Sequence, residues 1–593
     1  MRIAVLVKQV PRFEEMELGD DGRLQREGVE LELNPYCRRA VSQAVELAST
    51  RPKSRITVIT LGPPSAEDSL REAIAWGLDR DADIDGVLVT DAAFAGSDTL
   101  ATARALAAAL EREGPFDLVL TGRNSVDADT GQVAPELAEL CGLVFLCGVR
   151  HLAIDGTQIS ARCEHDDGWF QAEVQLPAVL SCAERLIDPA KVDPPGRAAV
   201  PGDLIRRLRA SDLGPGPWGQ TASPTSVGPV KVIGHRRDAS RVAGADTVTQ
   251  AREAVRLLHE RGAFDPSADP QRDDRDSHVA PHLPDAPAVL VLAEPDRAHD
   301  TRELLGAAAA LTGNVTAVVL DAPDVAELQS WGADAVVQLH GQNIEEDVAA
   351  AVAALARESK PWAILTGSTA WGREVAARVA ASLGAGLTGD AVELERDGDR
   401  LVAWKPAFGG QLVAAIHCSS PVQMATVRAG VLPTRTPRPS SGAATASNRA
   451  LQTRGRVRVL ARIRDDDLDV LAQAHAVIAV GKGVAPDAYD DLEPLRALLG
   501  AELGATRKVT DQGWLPRARQ IGITGRSVAP RLLVSIGASG KFNHVVGMRA
   551  AGTVLAINND PDAPVFDAAD VGIVGDWREV VPALVDQLRA ARA

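Results

Sequence analysis

Short stretches near the C-terminal end join apolar runs to glycine and small polar residues in an order suited to holding a dinucleotide. Leu532-Leu-Val-Ser-Ile-Gly-Ala-Ser-Gly540 passes from a strand-like run into Gly and Ser, then into a helix-like stretch, 541–548. Such a junction presents free backbone N–H groups and the positive end of a helix dipole to a pyrophosphate. Val554-Leu-Ala-Ile-Asn-Asn-Asp560 ends a strand in polar groups able to hold ribose or adenine, and Gly572-Ile-Val-Gly-Asp576 repeats the device. In the first half, Asp127-Ala-Asp-Thr-Gly-Gln132 offers several N–H groups to a phosphate, although its two carboxylates would repel one unless they point away. Asn34-Pro35 reads equally as a helix start, with Asn34 as cap, or as part of a nucleotide site. Cys37, Cys141, Cys147, Cys163, Cys182 and Cys418 form no C-x-x-C pair and no Cys/His cluster of zinc or iron–sulfur spacing. They read as reduced, mostly buried thiols, so redox chemistry here must come from an organic cofactor.

The elements that would position these loops alternate along the chain. Residues 56–61, 86–89, 117–121, 289–293, 317–320 and 363–366 read as buried strands, and 42–48 and 99–110 carry apolar residues at helical spacing. This alternation predicts an α/β fold of parallel sheets with helices on both faces. The halves echo one another: Asp117-Leu-Val-Leu-Thr-Gly-Arg123 corresponds to Trp362-Ala-Ile-Leu-Thr-Gly-Ser368, and Trp76-Gly77 to Trp331-Gly332. Two related α/β domains are expected, not a solenoid. Residues 264–286, with Pro266, Pro270, Pro281 and Pro284 amid Asp and Arg, form a linker by composition. A second polar break, 433–452, precedes a last domain with candidate strands at 477–481, 532–537, 554–558 and 572–575.

The 593 residues exceed one core, and length alone suggests about three to five domains. A formal charge of −17 leaves no positive surplus for a general nucleic-acid binder. No run of about 18 apolar residues exists to span a membrane. The opening Met1-Arg2-Ile3-Ala4-Val5-Leu6-Val7-Lys8 is too short for a signal-peptide core and reads as a strand, which places the chain in the cytoplasm.

Taken together the motifs resemble a known family. Gly504-Ala-Thr-Arg507, Asp511-Gln-Gly-Trp514, Gln520-Ile-Gly-Ile-Thr-Gly525, Gly537-Ala-Ser-Gly540, His544, Ala556-Ile-Asn-Asn-Asp560 and Pro564 resemble, in order, the FAD-binding domain of electron-transfer flavoprotein α subunits. Residues 287–452 resemble that subunit's first domain through 366–373, 384–390 and Gln423-Met-Ala-Thr-Val-Arg-Ala-Gly430. Residues 1–263 resemble the β subunit through Val7-Lys-Gln-Val-Pro11, Asn34-Pro-Tyr-Cys37, Leu61-Gly62 and Thr121-Gly-Arg-Asn-Ser-Val-Asp-Ala-Asp-Thr-Gly-Gln-Val-Ala-Pro135. The resemblance implies β-like and α-like subunits fused in one chain. It has two related Rossmann-like domains, 1–263 with a C-terminal arm and 287–452, joined by the linker 264–286. A doubly wound FAD-binding domain, 453–593, follows.

The resemblance also implies site residues. Arg507 and His544 would lie beside the flavin ring, where a cation and an imidazole stabilise negative charge on the reduced ring and raise its potential. Thr524 would hydrogen-bond to the ring, within the loop Gln520, Ile521, Gly522, Ile523, Thr524 and Gly525 that follows Thr506. Ser539, Gly540, Lys541 and Asn543 would carry phosphate and ribitol contacts, while Asn558, Asp576 and Trp577 would face the adenosine end. Three departures bear on the potential. Lys482 stands where the family usually has Arg, exchanging a fork for a point charge. Ile523 replaces a usually polar residue, and Lys541 and Asn543 replace Ala and Gln.

In the β-like half the family role gathers Leu6, Asn34, Cys37, Leu61, Gly122, Arg123, Asp127, Asp129, Thr130, Gly131, Gln132 and Val133 around a second nucleotide, AMP or FAD. The length and order of 127–135 sit closer to the FAD type, which marks electron-bifurcating members; Ala128 in place of Gly restricts the loop. The implied function is to carry electrons from a flavin dehydrogenase to a quinone-linked oxidoreductase. The stretch 188–199, where the family places its partner-docking loop, lacks the usual apolar anchor and lysines. The rival readings are a flavin-dependent dehydrogenase with its own substrate and a non-redox nucleotide sensor.

Overall fold

The apolar runs become parallel strands buried on both faces, as helices above and below a sheet require. The computed structural model describes residues 1–12, 30–166, 168–232, 237–242, 244, 246–265, 278–320, 324–407, 412–438, 445–464, 470–471, 474–522 and 525–592.

The two halves share one sheet plan. In the first, the parallel order is Ile205–Leu208, Ile84–Val89, Arg55–Leu61, Arg2–Leu6, Leu118–Gly122, Ala178–Cys182, Val144–Asp155. In the second it is Thr445–Ala450, Ala335–His340, Val315–Val319, Val289–Leu292, Ala363–Gly367, Gln423–Val427, Gly386–Ala391. Strand for strand the order is the same, so the echo in sequence is an echo in fold. The edge strand Thr445–Ala450 falls within the polar break 433–452. Its sequence, Thr-Ala-Ser-Asn-Arg-Ala, is polar because an edge strand keeps a solvent-facing side.

Each half also extends into antiparallel strands, and there the halves trade chain. Val457–Arg464, which follows the second half's edge strand, pairs antiparallel with Gly168–Gln175 of the first. Thr225–Val232, which follows the first half's edge strand, pairs antiparallel with Leu412–Cys418 of the second. The exchange is reciprocal, like an isologous contact between subunits.

The C-terminal sheet is all parallel, in the order Ser240–Arg241, Val571–Val574, Thr553–Asn558, Leu532–Ile536, Ala476–Val480, Glu502–Ala505. Its first strand comes from the arm of the first half. The arm's helix Thr247–Glu260 buries Ala251, Ala254, Val255 and Leu258 against Val580, Val581, Leu584, Val585 and Leu588 of Trp577–Arg592. Arg237 and Arg261 both bind the Asp570 carboxylate, and Arg237 also donates to the Arg549 and Ala551 carbonyls at 2.9 and 2.7 Å. The flavin-type sheet is thus built from two distant stretches of sequence.

The linker 264–286 is anchored at both ends. Phe264 packs on the C-terminal core, and Val279 is buried in the second half's core with its N–H donated to the Thr436 carbonyl at 3.0 Å. Residues 266–277 lie outside the described residues. The stretch 188–199 folds back onto the first half: Ala190 is buried, Asp193 caps the helix Pro194–Ala198, and Arg197 meets Glu72 at 3.1 Å.

Candidate functional site

In the C-terminal sheet the sequence-predicted residues stand at the carboxyl ends of parallel strands, where open α/β sheets bind ligands. Gly481 to Gly483 follow Ala476–Val480, Thr506 and Arg507 follow Glu502–Ala505, and Gly537 to Lys541 follow Leu532–Ile536. The chain order reverses between Ala476–Val480 and Leu532–Ile536, and there the two glycine loops touch: the Gly483 N–H donates to the Gly537 carbonyl at 3.1 Å. A Cβ on Gly481 would stand 2.2 Å from the Gly537 oxygen. One on Gly540 (φ +72°) would stand 2.1 Å from the Val565 nitrogen. Only backbone fits in this cradle. The following helix, Phe542–Met548, has 7 residues, so the loop's own N–H groups matter more than its dipole.

Asn558 and Trp577 brace the cradle from behind instead of opening onto it. Asn558 donates to the Ala538 carbonyl at 2.8 Å and accepts from the Asp560 N–H at 2.9 Å; the buried Trp577 indole donates to the Gly483 carbonyl at 3.2 Å. Asp576 is exposed and starts the last helix, while Lys482, Ser539 and Lys541 stand exposed at the rim. The side chain of Asn543 and the residues Ile523 and Thr524 lie outside the described residues.

At the other end, Gln520 accepts from the Thr510 hydroxyl at 2.7 Å, and the Ile521 N–H donates to the Ala505 carbonyl at 2.8 Å. Gly522 and Gly525 close the turn at 3.1 Å. His544 is buried and donates Nδ1–H to the Ile521 carbonyl at 3.0 Å; its Nε2 has no hydrogen-bond partner among the described residues. Burial lowers its pKa against that hydrogen bond, so the imidazole is neutral. A buried ring nitrogen without a partner, beside a glycine cradle, fits a bound dinucleotide. Arg507 spans the boundary: its Nε donates to Asp511 of its own helix at 3.2 Å, while its guanidinium lies 6.0 Å from the Tyr36 ring and 3.8 Å from Glu184, both in the first half.

The second group of predicted residues gathers at the carboxyl ends of three adjacent strands, which end at Leu6, Leu61 and Gly122. Asn34 is not a helix cap. The helix Cys37–Thr50 starts after Tyr36 without a side-chain cap. Asn34 instead donates to the Asn124 carbonyl at 2.8 Å and accepts from the Val126 N–H at 3.3 Å, pinning the loop 123–132. Cys37 is buried, and burial pushes its thiol pKa up. The carboxylates of that loop have partners of their own. Asp127 meets Lys8 at 2.7 Å, which outweighs burial and keeps it ionised, and Asp129 accepts from Asn124 Nδ2 at 2.6 Å. The left-handed positions fall on Asp129 (φ 45°) and Gly131 (φ 63°), so Ala128 imposes no strain. Gln132 is buried and accepts from the Thr99 hydroxyl at 3.0 Å, Thr130 is half-buried, and Val133 opens the helix Val133–Leu140.

The matching turn of the second half is closed. Only Ser368 and Thr369 separate Ala363–Gly367 from the helix Ala370–Leu383, and the Ala370 N–H donates to the Asp166 carboxylate at 2.6 Å. Burial opposes the charge on Asp166; Arg297, that N–H and Arg123 outweigh it and hold its pKa far below the usual range. A carboxylate from the first half thus sits at the N-terminus of this helix and meets its first free N–H.

A cleft of about 80 Å³ lies where the three domains meet. It is lined by Tyr36, Arg123, Asn124, Asp129 and Glu184 of the first half, Ser368, Arg373 and Glu374 of the second, and Arg517 and Gly525 of the C-terminal sheet. Sequence reasoning missed Asp166, Glu184 and Arg517. Glu184 had a usable signal, a carboxylate just past the buried strand Ala178–Cys182. All six cysteines are free; among the described residues no His/Cys/Asp/Glu group could hold a metal ion, and no helix is long and apolar enough to cross a membrane.

These features define a dinucleotide-binding α/β protein with its candidate sites at strand ends around a common cleft. The sequence profile of the electron transfer flavoprotein domain matches residues 21–202 and again 289–452, and that of the electron transfer flavoprotein FAD-binding domain matches 470–549. The electron transfer flavoprotein subunit alpha of Thermoanaerobacterium thermosaccharolyticum is 36% identical over 276 residues, 44% of this chain and 83% of the relative. Protein FixB of Rhizobium meliloti is 36% identical over 275 residues, 44% of this chain and 77% of the relative. The CarD subunit of the caffeyl-CoA reductase–Etf complex of Acetobacterium woodii is 35% identical over 230 residues, covering 38% and 86%. The chain belongs to the electron transfer flavoprotein family, carries that family's FAD-binding domain, and its function is electron transfer.

Proposed function

We propose that this chain is a β-then-α fusion that holds FAD in the C-terminal sheet and a second nucleotide in the first half. In this reading it carries electrons from a flavin dehydrogenase to a quinone-linked oxidoreductase. The observation that carries the fusion is the double match of one domain profile to two halves with the same strand order. The bound flavin would supply the ability to take up electrons as a pair and release them singly.

The chain's own residues then divide the work. The loops at Gly481 and Gly537 to Gly540 bring backbone N–H groups up to the pyrophosphate, with Lys482, Ser539 and Lys541 at the rim. Asn558 and Trp577 hold those loops in place. Arg507 and His544 flank the ring end, where the Arg507 charge favours the reduced flavin and the unpartnered Nε2 of the neutral His544 would accept a hydrogen bond from an N–H of the reduced ring. Arg507→Ala and His544→Ala should each lower the midpoint potential; unchanged values in both would place these residues away from the ring.

The second nucleotide is FAD in this reading. Supporting this, the length and order of 127–135 sit closer to the FAD type. A second flavin would make the protein an electron-bifurcating member. Denaturing the purified protein and quantifying released nucleotides by chromatography tests this. Two FAD per chain supports it, one FAD with one AMP makes the chain a simple carrier, and an empty second site removes it.

A further inference from the structure

Where the C-terminal sheet faces the first half, two carboxylates and several guanidinium groups crowd together, with Glu164, Glu184 and Arg123 buried and Arg507 partly exposed. Glu184 lies 4.0 Å from Arg123, 3.8 Å from Arg507 and 3.6 Å from Arg517. Glu164 lies 3.0 Å from Arg517 and 3.7 Å from Arg123. The Glu184 side chain is only 9% exposed, and its Oε2 has no hydrogen-bond partner among the described residues; the same holds for Arg123 Nη1. Both residues line the cleft. A buried carboxylate oxygen and a buried guanidinium nitrogen, neither hydrogen-bonded, mark a place built for a polar occupant.

We infer that Glu184 is a counter-charge, supplied by the first half across the domain boundary, that lowers the reduction potential of the flavin held by the C-terminal sheet. This rests on the reading of Arg507 as a ring-side residue. The physical reason is direct. A positive guanidinium beside the ring favours added electrons, and a carboxylate 3.8 Å from that guanidinium cancels part of its field, strongly so in a low-dielectric cleft. Reduction adds negative charge to the cleft, and the fixed charge on Glu184 opposes it. Glu184 is well placed for this because it keeps its charge: burial acts against ionisation, but Arg517, Arg123 and Arg507 outweigh it and hold its pKa at about 2. The flavin's potential is then set jointly by two segments that meet only in the folded chain, and it depends on the C-terminal sheet resting against the first half.

The test is potentiometric, on the full flavin-loaded chain. Glu184→Gln keeps the shape and removes the charge, and should favour the reduced flavin by about tenfold per electron, about 59 mV for a one-electron couple. Glu184→Asp should stay near the native value, and Arg507→Ala should shift the opposite way from Glu184→Gln. A native potential, or a lowered one, in Glu184→Gln beside a lowered one in Arg507→Ala overturns the inference and leaves the site reading intact. No shift in Arg507→Ala removes the site reading and this inference with it. Should Glu184→Gln lose its flavin, Glu184→Met decides: it also removes the charge at similar size and should raise the potential, and an unchanged or lowered one overturns the inference.

Discussion

Replacing Leu258 with Ala should loosen the flavin although this residue lies far from every flavin-type motif in sequence. Leu258 is 1% exposed, on the arm helix Thr247–Glu260, packed against the last helix of the C-terminal sheet. Truncating a fully buried Leu costs about 2–5 kcal/mol, the lost transfer energy plus the cavity left behind. For a domain of roughly 150 residues each kcal/mol lowers the midpoint by about 2–4 °C, so a fall of roughly 4–20 °C is expected. Flavin fluorescence during heating reports it, because the signal rises when FAD leaves the unfolding domain. Val248 on the same helix is 48% exposed, and Val248→Ala should change stability by no more than about 0.5 kcal/mol. If Leu258→Ala shifts flavin release no further than Val248→Ala, the arm is not an integral part of the flavin domain.

Gly540→Ala should abolish flavin retention, because its Cβ would meet the Val565 backbone at 2.1 Å in a left-handed conformation, whereas Gly500→Ala, with nothing within 4 Å, should keep the flavin. Flavin content after purification checks both. Burial, reinforced by Asp98, raises the Glu136 carboxyl to about 8, so it folds neutral. A raised acid stabilises the fold fully below its unfolded value of 4.5 and loses that contribution as pH climbs to about 8. Glu136→Gln should therefore lose less stability than the native chain between about pH 5 and pH 8, by an amount on the order of a few kcal/mol. Denaturant titrations across that range measure it, and parallel slopes for the two proteins would refute the assignment.

The sequence by itself determined the strands, because a parallel strand buried on both faces must be a nearly unbroken apolar run. Ala476–Val480, Leu532–Ile536 and Val289–Leu292 could be read within a residue or so on that ground alone. It also showed Gly537 and Gly540 at a strand-to-helix junction and the kinship of the halves, while the fit of backbone alone at Gly481 and Gly540 is seen only in the fold. What it did not contain was which segments meet. The apolar pattern of Thr247–Glu260 shows an amphipathic helix, and nothing local says that its partner is Trp577–Arg592. Asn34 has the residue type of a helix cap, and only the approach of the loop 123–132 turns its amide elsewhere. Asp166 and Arg517 were invisible as site residues for the same reason. Local propensity and hydrophobic period depend on near neighbours in the chain. The cleft and its charges depend on residues hundreds of positions apart, and only their packing brings those charges within a few ångströms.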